Sequence, residues 1–469
     1  MSRPKRFLKI RNGAQRFASF ASQKMRERRL RKAQARAEGP LVFTRNHASG
    51  LHTFNGAKRV VITGMGAITM LGLNVEDTWA NLVAGKSGAG PITRFDASQL
   101  PVRIAGEVHG FDATKYIEPK ESRRMARVSH FAVAAAQEAL EDSGLRIGID
   151  VPNDRVGVVM GTALGGFEMS DAGMVDLRTA GYRRMNPFAL PAALPNAPGH
   201  HISRTYGAKG PLDTVVAACA SGTQSIGNAA DLIRRGKADV MFAGGVEGVI
   251  NDGAIASFSL MRVLCTTHND DPTHAQRPFD ISRNGFVLSE GCVVMMLESL
   301  EHAQARGAKI YGEVLGLGVS SDAHHIAIPD PTGSGAVRAM KWALEDAGIR
   351  PDQVDYINAH GSATQTNDAL ETKAIKEVFG EHAYDIPVTS TKSMTGHAMG
   401  AAGAIEAMAT LLSMRYSVLT PTINLSIPDP ECDLDYVPNV AREAELQIGL
   451  SNSFGLGGQN ACLALGKYE

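Results

Sequence analysis

The chain has 469 residues, enough for two or more domains, and no apolar run reaches the roughly 18 residues that a membrane-spanning helix requires. Its five cysteines are scattered without a C-x-x-C pair, which argues against a disulfide framework or a zinc site and for a reducing compartment. The formal net charge is zero, yet residues 1–38 hold nine arginines and four lysines against two glutamates, a balance of +11. The remaining residues therefore carry −11, so nucleic-acid binding is not expected of the folded part.

Residues 1–57 form a basic extension with few apolar anchors. We expect a solvated and mostly disordered segment. Because it is rich in arginine and poor in acidic residues, it also suits a mitochondrial transit peptide. A contact with nucleic acid or a membrane surface, or an over-long gene start, would explain it as well. A cytoplasmic location is the default expectation, and a mitochondrial one is the alternative.

Buried strands alternate with helices along residues 58–307, which predicts an α/β architecture with buried sheets. The first strand, at 58–66, runs into glycines. Thr69 stands where a dinucleotide-binding loop needs its third glycine, so we expect a strand and a turn without a cofactor. Further predictions are a helix at 121–143 that Gly144 ends, strands at 156–162, 239–245 and 292–297, a loop at 187–198, and a helix at 300–306 that Gly307 ends.

Basic side chains gather at the start of the predicted helix 121–143. Lys120, Arg123, Arg124 and Arg127 are spaced so that several of them share one helical face. A solvated charged face is the simpler interpretation, and a docking surface for an acidic partner is the alternative.

The stretch around Cys219 is the most informative part of this half. Residues 214–216 predict a strand, small residues predict a sharp bend, and the apolar spacing that continues to about Arg235 predicts a helix. Cys219 would then lie at the helix N-terminus, where unpaired N–H groups and the helix dipole lower the pKa of a thiol. It is therefore a candidate nucleophile, although an inert buried cysteine is the commoner role of this residue type.

Residues 308–469 repeat this plan. Strands predicted at 354–358 and 387–390 each lead to a histidine beside glycine, His360 and His397. Sites in α/β sheets form at the carboxyl ends of strands, so both histidines are functional candidates. The other predicted elements are a strand at 311–319, a helix at 335–347, a helix at 400–414 whose small first turn packs closely against a neighbour, and strands at 447–450 and 461–465 around a loop at 452–460.

Two further features join this set. Lys392 stands between small residues at the end of a predicted apolar strand, an unusual place because lysine is rarely buried unless it is paired. The loop 455–458 offers backbone N–H groups that can stabilise an oxyanion. Together with Cys219 and the two histidines, they favour a nucleophilic site over an inert cysteine.

Four motifs occur in order along the chain. They are Ala218-Cys219-Ala220-Ser221-Gly222, Asn358-Ala359-His360-Gly361, Ser390-Thr391-Lys392-Ser393, and Gly396-His397 followed by x-x-Gly-Ala-Ala-Gly. Over about residues 58–468 the chain resembles the β-ketoacyl-acyl-carrier-protein synthases, and it is most similar to the elongating, type II members of bacterial fatty-acid synthesis. A cysteine with two histidines also separates it from chain-initiating relatives, which pair cysteine with histidine and asparagine, and from thiolases.

The resemblance implies the α/β thiolase fold, with two similar halves in a layered αβαβα sandwich and usually a homodimer. We place the halves at residues 58–307 and 308–469. The implied reaction is a ping-pong, decarboxylative Claisen condensation that elongates a fatty acyl chain by two carbons. No metal or organic cofactor is implied, because the 4′-phosphopantetheine group arrives on the acyl carrier protein.

The resemblance also implies roles for single residues. Cys219 takes the acyl chain as a thioester, while His360 and His397 donate hydrogen bonds to the malonyl thioester oxygen. Lys392 fixes and polarises a histidine, and Glu406 is a carboxylate beside it. The remaining assignments are the oxyanion N–H groups of Cys219 and Leu456, the substrate-binding residues Ser362, Thr364, Leu456 and Phe454, and docking of the acidic carrier protein by Lys120, Arg123 and Arg124.

Two motifs depart from the family's pattern. Ser362 replaces a threonine but keeps its hydroxyl group, and Gln459 stands where threonine or histidine is usual. Ala363 lacks a hydroxyl group that the family usually has there, and Leu456 replaces the phenylalanine that gates the acyl pocket. These departures suggest, as an alternative, a specialised synthase of polyketides or unusual acyl chains. A chain-length-factor-like partner subunit is the non-catalytic alternative, but such subunits typically lack the cysteine that is present here.

Overall fold

The structure is a computed structural model that describes residues 58–468. Our prediction for the basic extension 1–57 therefore lies outside the described residues. Within 58–468, every helix is too short or too polar to cross a lipid bilayer.

The strands account for the core of the fold. Within the described range they are, in chain order, β1 (Val60–Thr69), β2 (Gly90–Pro91), β3 (Ile104–Ala105), β4 (Val156–Gly161), β5 (Leu212–Val215), β6 (Val240–Glu247), β7 (Gly291–Ser299), β8 (Gly312–Ser321), β9 (Tyr356–Asn358), β10 (Val388–Thr389), β11 (Val418–Leu419), β12 (Arg442–Glu443), β13 (Ile448–Gly455) and β14 (Gln459–Gly466).

The α-helices lie between these strands. Within the same range they are α1 (Val75–Val83), α2 (Pro119–Ser122), α3 (Arg127–Ser143), α4 (Phe167–Ala180), α5 (Ala189–Ala193), α6 (Ala197–Tyr206), α7 (Ser221–Arg234), α8 (Asp252–Leu260), α9 (Leu300–Ala305), α10 (Ser334–Ala347), α11 (Gln365–Phe379), α12 (Lys392–Thr395) and α13 (Ala402–Tyr416).

The main sheet consists of two five-stranded parts with the same topology. Their orders are β5-β4-β6-β7-β1 and β10-β9-β13-β14-β8. When the five strands of each part are numbered along the chain, their order across the sheet is third, second, fourth, fifth, first. The fifth strand is antiparallel to both of its neighbours. The parts join where Val60–Ile62 of β1 pair with Gly312–Val314 of β8. The predicted repeat is therefore confirmed, and the division at Gly307, in the turn before β8, stays a prediction.

Two helices fill the space between the parts. Helix α7 packs on β4 and β6 and on β8 and β14, while α13 packs on β13 and β14 and on β6 and β7. Helices α3 and α6 cover the outside of one part, and α10, with α11 packed beside it, covers the outside of the other. The layers are thus helix, sheet, helix, sheet, helix. A Cβ atom at Gly403 would lie 2.0 Å from Thr223 Oγ1, which confirms the close packing predicted for the first turn of the 400–414 helix.

The first strand is longer than predicted. It continues through its glycines to Thr69, whereas the sequence suggested a turn at 64–66. The glycines serve helix packing, because a Cβ atom at Gly64 would lie 2.2 Å from Ala139 O and one at Gly66 would lie 2.0 Å from Ala135 O. Glycine in a strand can therefore mark the close approach of a helix rather than the end of the strand.

Three other element predictions need correction. The helix predicted at 121–143 is two helices, α2 and α3, although Gly144 does end α3 with a φ of 65°. The predicted loop 187–198 contains α5 and the start of α6, because a proline fits the first turn of a helix. The predicted loop 452–460 is mostly strand, with β13 and β14 joined by the turn 456–458, in which Gly457 and Gly458 have φ of 84° and 71°.

Candidate active site

The candidate nucleophile lies in a bend between β5 and α7. Ala218 has a φ of 49°, and Cys219 follows in a single 3-10 turn directly before the helix. Ser221 holds the bend, since its hydroxyl accepts the Ala217 N–H at 2.8 Å and donates to Ala218 O at 2.7 Å. The predicted strand, bend and helix around Cys219 are therefore confirmed.

Cys219 is almost completely buried, with 4% of its surface exposed. Burial raises the pKa of its thiol to about 11, against the opposing effects of the Leu456 N–H group and the Lys392 charge. The lowered pKa expected from the helix N-terminus is wrong, because loss of solvation outweighs the local donors. The thiol is therefore protonated at neutral pH.

His360 follows β9 and is anchored through its backbone. The N–H groups of His360 and Gly361 donate to the two carboxylate oxygens of Glu371, each at 2.8 Å. In the side chain, His360 Nδ1 lies 3.4 Å from Lys392 Nζ. An ammonium group only donates, so Nδ1 accepts and Nε2 carries the proton of the neutral ring. Burial, with the Lys392 charge second, lowers the pKa of His360 well below its ordinary value.

Lys392 and Glu406 form a buried ion pair behind His360. Lys392 opens α12, and its Nζ donates to Glu406 on α13. Burial raises the pKa of the Glu406 carboxyl group to about 7, and the Lys392 charge opposes that shift. The expected pairing of Lys392 with a histidine is present, and the histidine is His360.

His397 is the histidine that contacts the cysteine. Its Nε2 lies 3.1 Å from Cys219 Sγ, and its Nδ1 accepts the Met399 N–H at 3.2 Å. The neutral ring therefore carries its proton on Nε2, directed at the sulfur. Burial and then the Lys392 charge lower the pKa of His397 well below its ordinary value. The His360 and His397 rings meet edge to face, with centroids 5.4 Å apart.

One cavity of about 560 Å³ joins these groups. Cys219, His360 and His397 line it together with Phe454 and Leu456. Its wall also contains two hydroxyl groups 3.1 Å apart, those of Ser362 and Thr364. A cavity with a thiol, two Nε2–H donors, hydroxyl groups and apolar side chains suits a substrate with an acyl thioester and a polar arm.

The end of β13 approaches the cysteine closely. A Cβ atom at Gly455 would lie 2.9 Å from Ala217 O and 3.2 Å from Cys219 N, so only glycine fits without a shift. This approach brings the N–H of Leu456 into hydrogen-bond range of Cys219 Sγ. The Leu456 side chain is half-buried and packs against the apolar cluster that includes Cys219, Phe286 and Met399.

The basic residues near α2 differ in their surroundings. Lys120 and Arg123 are exposed. Arg124 pairs with Glu121 at 3.0 Å, and its guanidinium lies 4.8 Å from the centre of the Phe188 ring. Arg127 pairs with the buried Glu290. The surface suggested by the sequence therefore loses Arg127 but keeps Lys120, Arg123 and Arg124.

Sequence reasoning missed two buried carboxylates at the site. Glu371 accepts the backbone donors at His360, and Glu247 accepts backbone donors behind Cys219 and His397. Both were visible as acidic residues in apolar settings. Glu371 shares a helical face with Ala374 and Ile375, and Glu247 ends an apolar strand. Within residues 58–468, no group of three or more histidine, cysteine or acidic side chains is placed to hold a metal ion.

Comparison with known proteins identifies relatives across the whole described range. Residues 57–303 match the family model "Beta-ketoacyl synthase, N-terminal domain", and residues 311–426 match "Beta-ketoacyl synthase, C-terminal domain". Two similar curated proteins are named 3-oxoacyl-[acyl-carrier-protein] synthase 2. The one from Synechocystis is 49% identical and the one from Staphylococcus aureus strain N315 is 48% identical, each over 88% of this chain and 99% of the relative.

Solved structures agree with this relationship. The ishigamide ketosynthase/chain length factor superposes with a TM-score of 0.82 at 38% identity, covering 88% of this chain and 100% of that one. A type II polyketide synthase acyl-carrier protein in complex with its ketosynthase gives a TM-score of 0.80 at 34% identity, with the same coverage. The layered fold described above is therefore the thiolase fold, and the chain belongs to the β-ketoacyl synthase family.

Proposed function

We propose that the protein is an elongating β-ketoacyl-[acyl-carrier-protein] synthase, which condenses malonyl-carrier protein with an acyl chain held on Cys219. One observation carries this proposal: the Cys219 sulfur shares a cavity with two histidines whose Nε2–H groups are both available as donors. The names of the curated relatives support the same activity.

In the first half-reaction, Cys219 Sγ attacks the thioester carbonyl of an acyl-carrier protein. The new bond joins the acyl carbon to Sγ, and the bond to the pantetheine sulfur breaks. Because the thiol starts protonated, its proton ends on the departing pantetheine sulfur. The N–H groups of Cys219 and Leu456 are the proposed donors to the carbonyl oxygen as it gains negative charge.

In the second half-reaction, malonyl-carrier protein loses carbon dioxide and leaves an enolate. His360 and His397 donate hydrogen bonds from Nε2 to the enolate oxygen, and both rings are neutral because burial holds their pKa values low. The enolate carbon then attacks the acyl thioester carbon, and Cys219 leaves as a thiolate that regains a proton. Ser362 and Thr364 are the proposed contacts of the pantetheine arm.

The proposed carrier-protein surface is Lys120, Arg123 and Arg124, since basic side chains attract an acidic partner. A ketosynthase among the structural relatives forms a complex with an acyl-carrier protein, which supports this class of partner. Lys120→Glu combined with Arg123→Glu should raise KM for carrier-bound substrates by about tenfold and leave kcat unchanged, given about 1 kcal/mol or less for each exposed charge. An unchanged KM would contradict the assignment.

We also infer a homodimer. Strand β5 is the last strand at one edge of the sheet, and it carries the exposed Leu212 with the exposed Val216 directly after it. Helices α4 and α5 add the exposed apolar side chains Phe167 and Leu190. Leu190→Asp should give a monomer in analytical ultracentrifugation. Ile149→Asp is the control, because Ile149 is also more than half exposed but lies in the loop between α3 and β4, next to Asp150, whose carbonyl faces His302 on α9. A dimer that persists in Leu190→Asp would argue against this surface.

A polyketide-type synthase remains the second candidate, favoured by Leu456 and by the ketosynthase of a type II polyketide synthase among the structural relatives. The test is condensation of malonyl-carrier protein with acyl-carrier proteins of increasing chain length, with products identified by mass and Cys219→Ala as the control. One extension per chain across medium and long acyl groups supports fatty-acid elongation. Repeated extension without reduction supports the second candidate, and absence of acyl adducts on Cys219 would contradict both.

The basic extension is proposed to be dispensable for this chemistry, because all the site residues lie within 58–468. Deleting residues 1–57 should leave the condensation rate unchanged, and loss of activity in the shortened protein would contradict this. In cells, a fluorescent fusion to residues 1–57 would distinguish a mitochondrial from a cytoplasmic protein.

A further inference from the structure

Glu247 is a completely buried carboxylate at the end of β6, and the proposed reaction does not use it. It accepts hydrogen bonds from two separate parts of the chain. On one side, Ala163 N–H donates at 2.8 Å and the Thr162 hydroxyl at 3.3 Å. On the other side, Gly400 N–H donates at 3.1 Å. One side chain therefore ties the loop after β4 to the turn after His397.

The turn that Glu247 holds is the one that orients His397. Gly400 is the residue after Met399, whose N–H group donates to His397 Nδ1. Met399 has a φ of 43°, a left-handed conformation that a methionine adopts only when the surroundings impose it. Without the hydrogen bond from Gly400 N–H to Glu247, the Met399–Gly400 peptide is free to rotate. The Met399 N–H group, which donates to His397 Nδ1, would move with it.

The same turn sits against the part of the fold that carries Cys219. A Cβ atom at Gly400 would lie 2.4 Å from Ala163 N, and Cβ atoms at Gly222 and Gly245 would lie 2.8 Å and 2.5 Å from Gly400 O. Packing determines how closely the Gly400 backbone approaches Ala163, Gly222 and Gly245. The Glu247 carboxylate determines that the Gly400 N–H group points towards β6. Cys219 follows β5 and His397 follows β10, which belong to different parts of the sheet. The contact between the two side chains therefore depends on how this turn packs against the part that carries Cys219.

We propose that Glu247 is a positioning residue, which fixes the Nε2–H tautomer of His397 and the 3.1 Å contact of that nitrogen with Cys219 Sγ by anchoring the Met399–Ala401 turn to the loop at Ala163. The part of this statement that concerns condensation rests on the proposed function. The carboxylate accepts on both of its oxygens. One oxygen accepts from Ala163 and Gly400 while the other accepts from the Thr162 hydroxyl. An amide has a single acceptor oxygen, so glutamine must either reverse the hydrogen bond with Thr162 or turn its NH₂ group towards the two backbone donors.

The test compares Glu247→Gln with Glu298→Gln as the matched control. Glu298 is also a completely buried strand carboxylate, but it accepts from Thr63, His302 and Arg306, outside the candidate site. Each protein is treated with iodoacetamide across pH 6–11, and alkylation of Cys219 is followed by mass. We expect Glu247→Gln to move the profile to higher pH and to slow alkylation at pH 8 by about tenfold, as for a lost hydrogen bond to a charged group. Removing the Glu247 charge acts in the opposite direction, because that charge raises the pKa of the Cys219 thiol, so the expected shift is the net of the two effects. Lys392 and Glu406, the other charged groups that act on the thiol, are unchanged in every variant.

Condensation is measured in the same variants. In Glu247→Gln we expect kcat to fall by about 100-fold, the effect of a misplaced group, while KM for malonyl-carrier protein stays the same. Glu298→Gln should lower the thermal stability without moving the alkylation profile. Glu247→Asp keeps the charge but withdraws it by one methylene group, so its profile should shift in the same direction by less.

The outcomes separate this proposal from the proposed function. An unshifted profile in folded Glu247→Gln, or an equal shift in Glu298→Gln, would overturn the positioning role. If Glu247→Gln does not fold, an unshifted Glu247→Asp has the same meaning. If the wild-type protein condenses no carrier-bound substrate but the profile still shifts in Glu247→Gln, the positioning role stands and the proposed function fails.

Discussion

His360 and His397 reach the same chemical state by different means. Both are buried and neutral, and both carry the ring proton on Nε2 because Nδ1 is occupied. Behind His360 the occupant is the ammonium group of Lys392, itself paired with Glu406. Behind His397 it is a backbone N–H in a tight turn. A charged pair orients one donor, and the shape of the main chain orients the other.

The difference determines where each histidine is vulnerable. The state of His360 depends on two side chains, so single substitutions can remove it. The state of His397 depends on a peptide group that every residue except proline supplies, so it is sensitive to what holds the turn and not to the identity of residue 399. The following substitutions test this contrast.

The largest effect is expected from Lys392→Ala. The change removes the partner of His360 Nδ1 and leaves the Glu406 carboxylate buried without its cation. Malonyl decarboxylation should fall by about 100- to 1,000-fold, and the free energy of unfolding should fall by about 3–5 kcal/mol. Carbon dioxide release and thermal denaturation measure the two effects.

Lys392→Met combined with Glu406→Gln is the control for stability. Replacing both charges should restore most of the free energy of unfolding, because neither partner is left as an isolated charge. It should not restore decarboxylation, since His360 still lacks its donor. Recovery of both stability and decarboxylation would mean that the ion pair contributes to folding alone and does not orient His360.

A smaller effect, and an asymmetric one, is expected in the reactivity of the cysteine. Of the two histidines, His397 is the one that contacts Cys219 Sγ, so His397→Ala should slow alkylation of Cys219 at pH 8 by about tenfold, whereas His360→Ala should change it little. The wild-type rate should keep rising towards pH 11, because burial raises the thiol pKa to about 11 and the thiolate forms only as pH approaches it. Equal slowing in both variants would show that the two histidines are coupled.

The smallest effect is expected from Met399→Gly. Glycine keeps the N–H that occupies His397 Nδ1 and adopts the φ of 43° without strain. Decarboxylation should stay within about threefold of wild type, which is under ~0.7 kcal/mol of activation free energy. The loss of a buried methionine side chain should still lower the melting temperature. A loss of decarboxylation as large as in Lys392→Ala would refute the backbone origin of the His397 state.

The sequence predicted those features that depend on local pattern. The bend at Cys219 and the strand ends at His360 and His397 each follow from a change in residue size or polarity within a few positions. Elements governed by a distant neighbour were predicted less well. The sequence placed a turn at Gly64 and Gly66, but helix α3, more than 60 residues later, determines that these glycines belong to a strand.

The chemistry of the site shows the same limit. The sequence indicated that Lys392 pairs with a histidine, but only the fold decides that the partner is His360 and that Met399 serves His397. The thiol pKa was predicted in the wrong direction, because helix position is visible in a sequence while the burial of Cys219 is not. Glu247 was visible at a strand end, but its donors come from residues 84 and 153 positions away.

Leu456 has two proposed functions, one for its main chain and one for its side chain. Its main-chain N–H approaches the Cys219 sulfur, and its side chain contributes to the cavity wall. Mutation can exchange the side chain for almost any other while the N–H is retained. During evolution, single substitutions at position 456 can therefore change which acyl chains the cavity accepts. The backbone N–H group proposed to stabilise the oxyanion is retained in each of them.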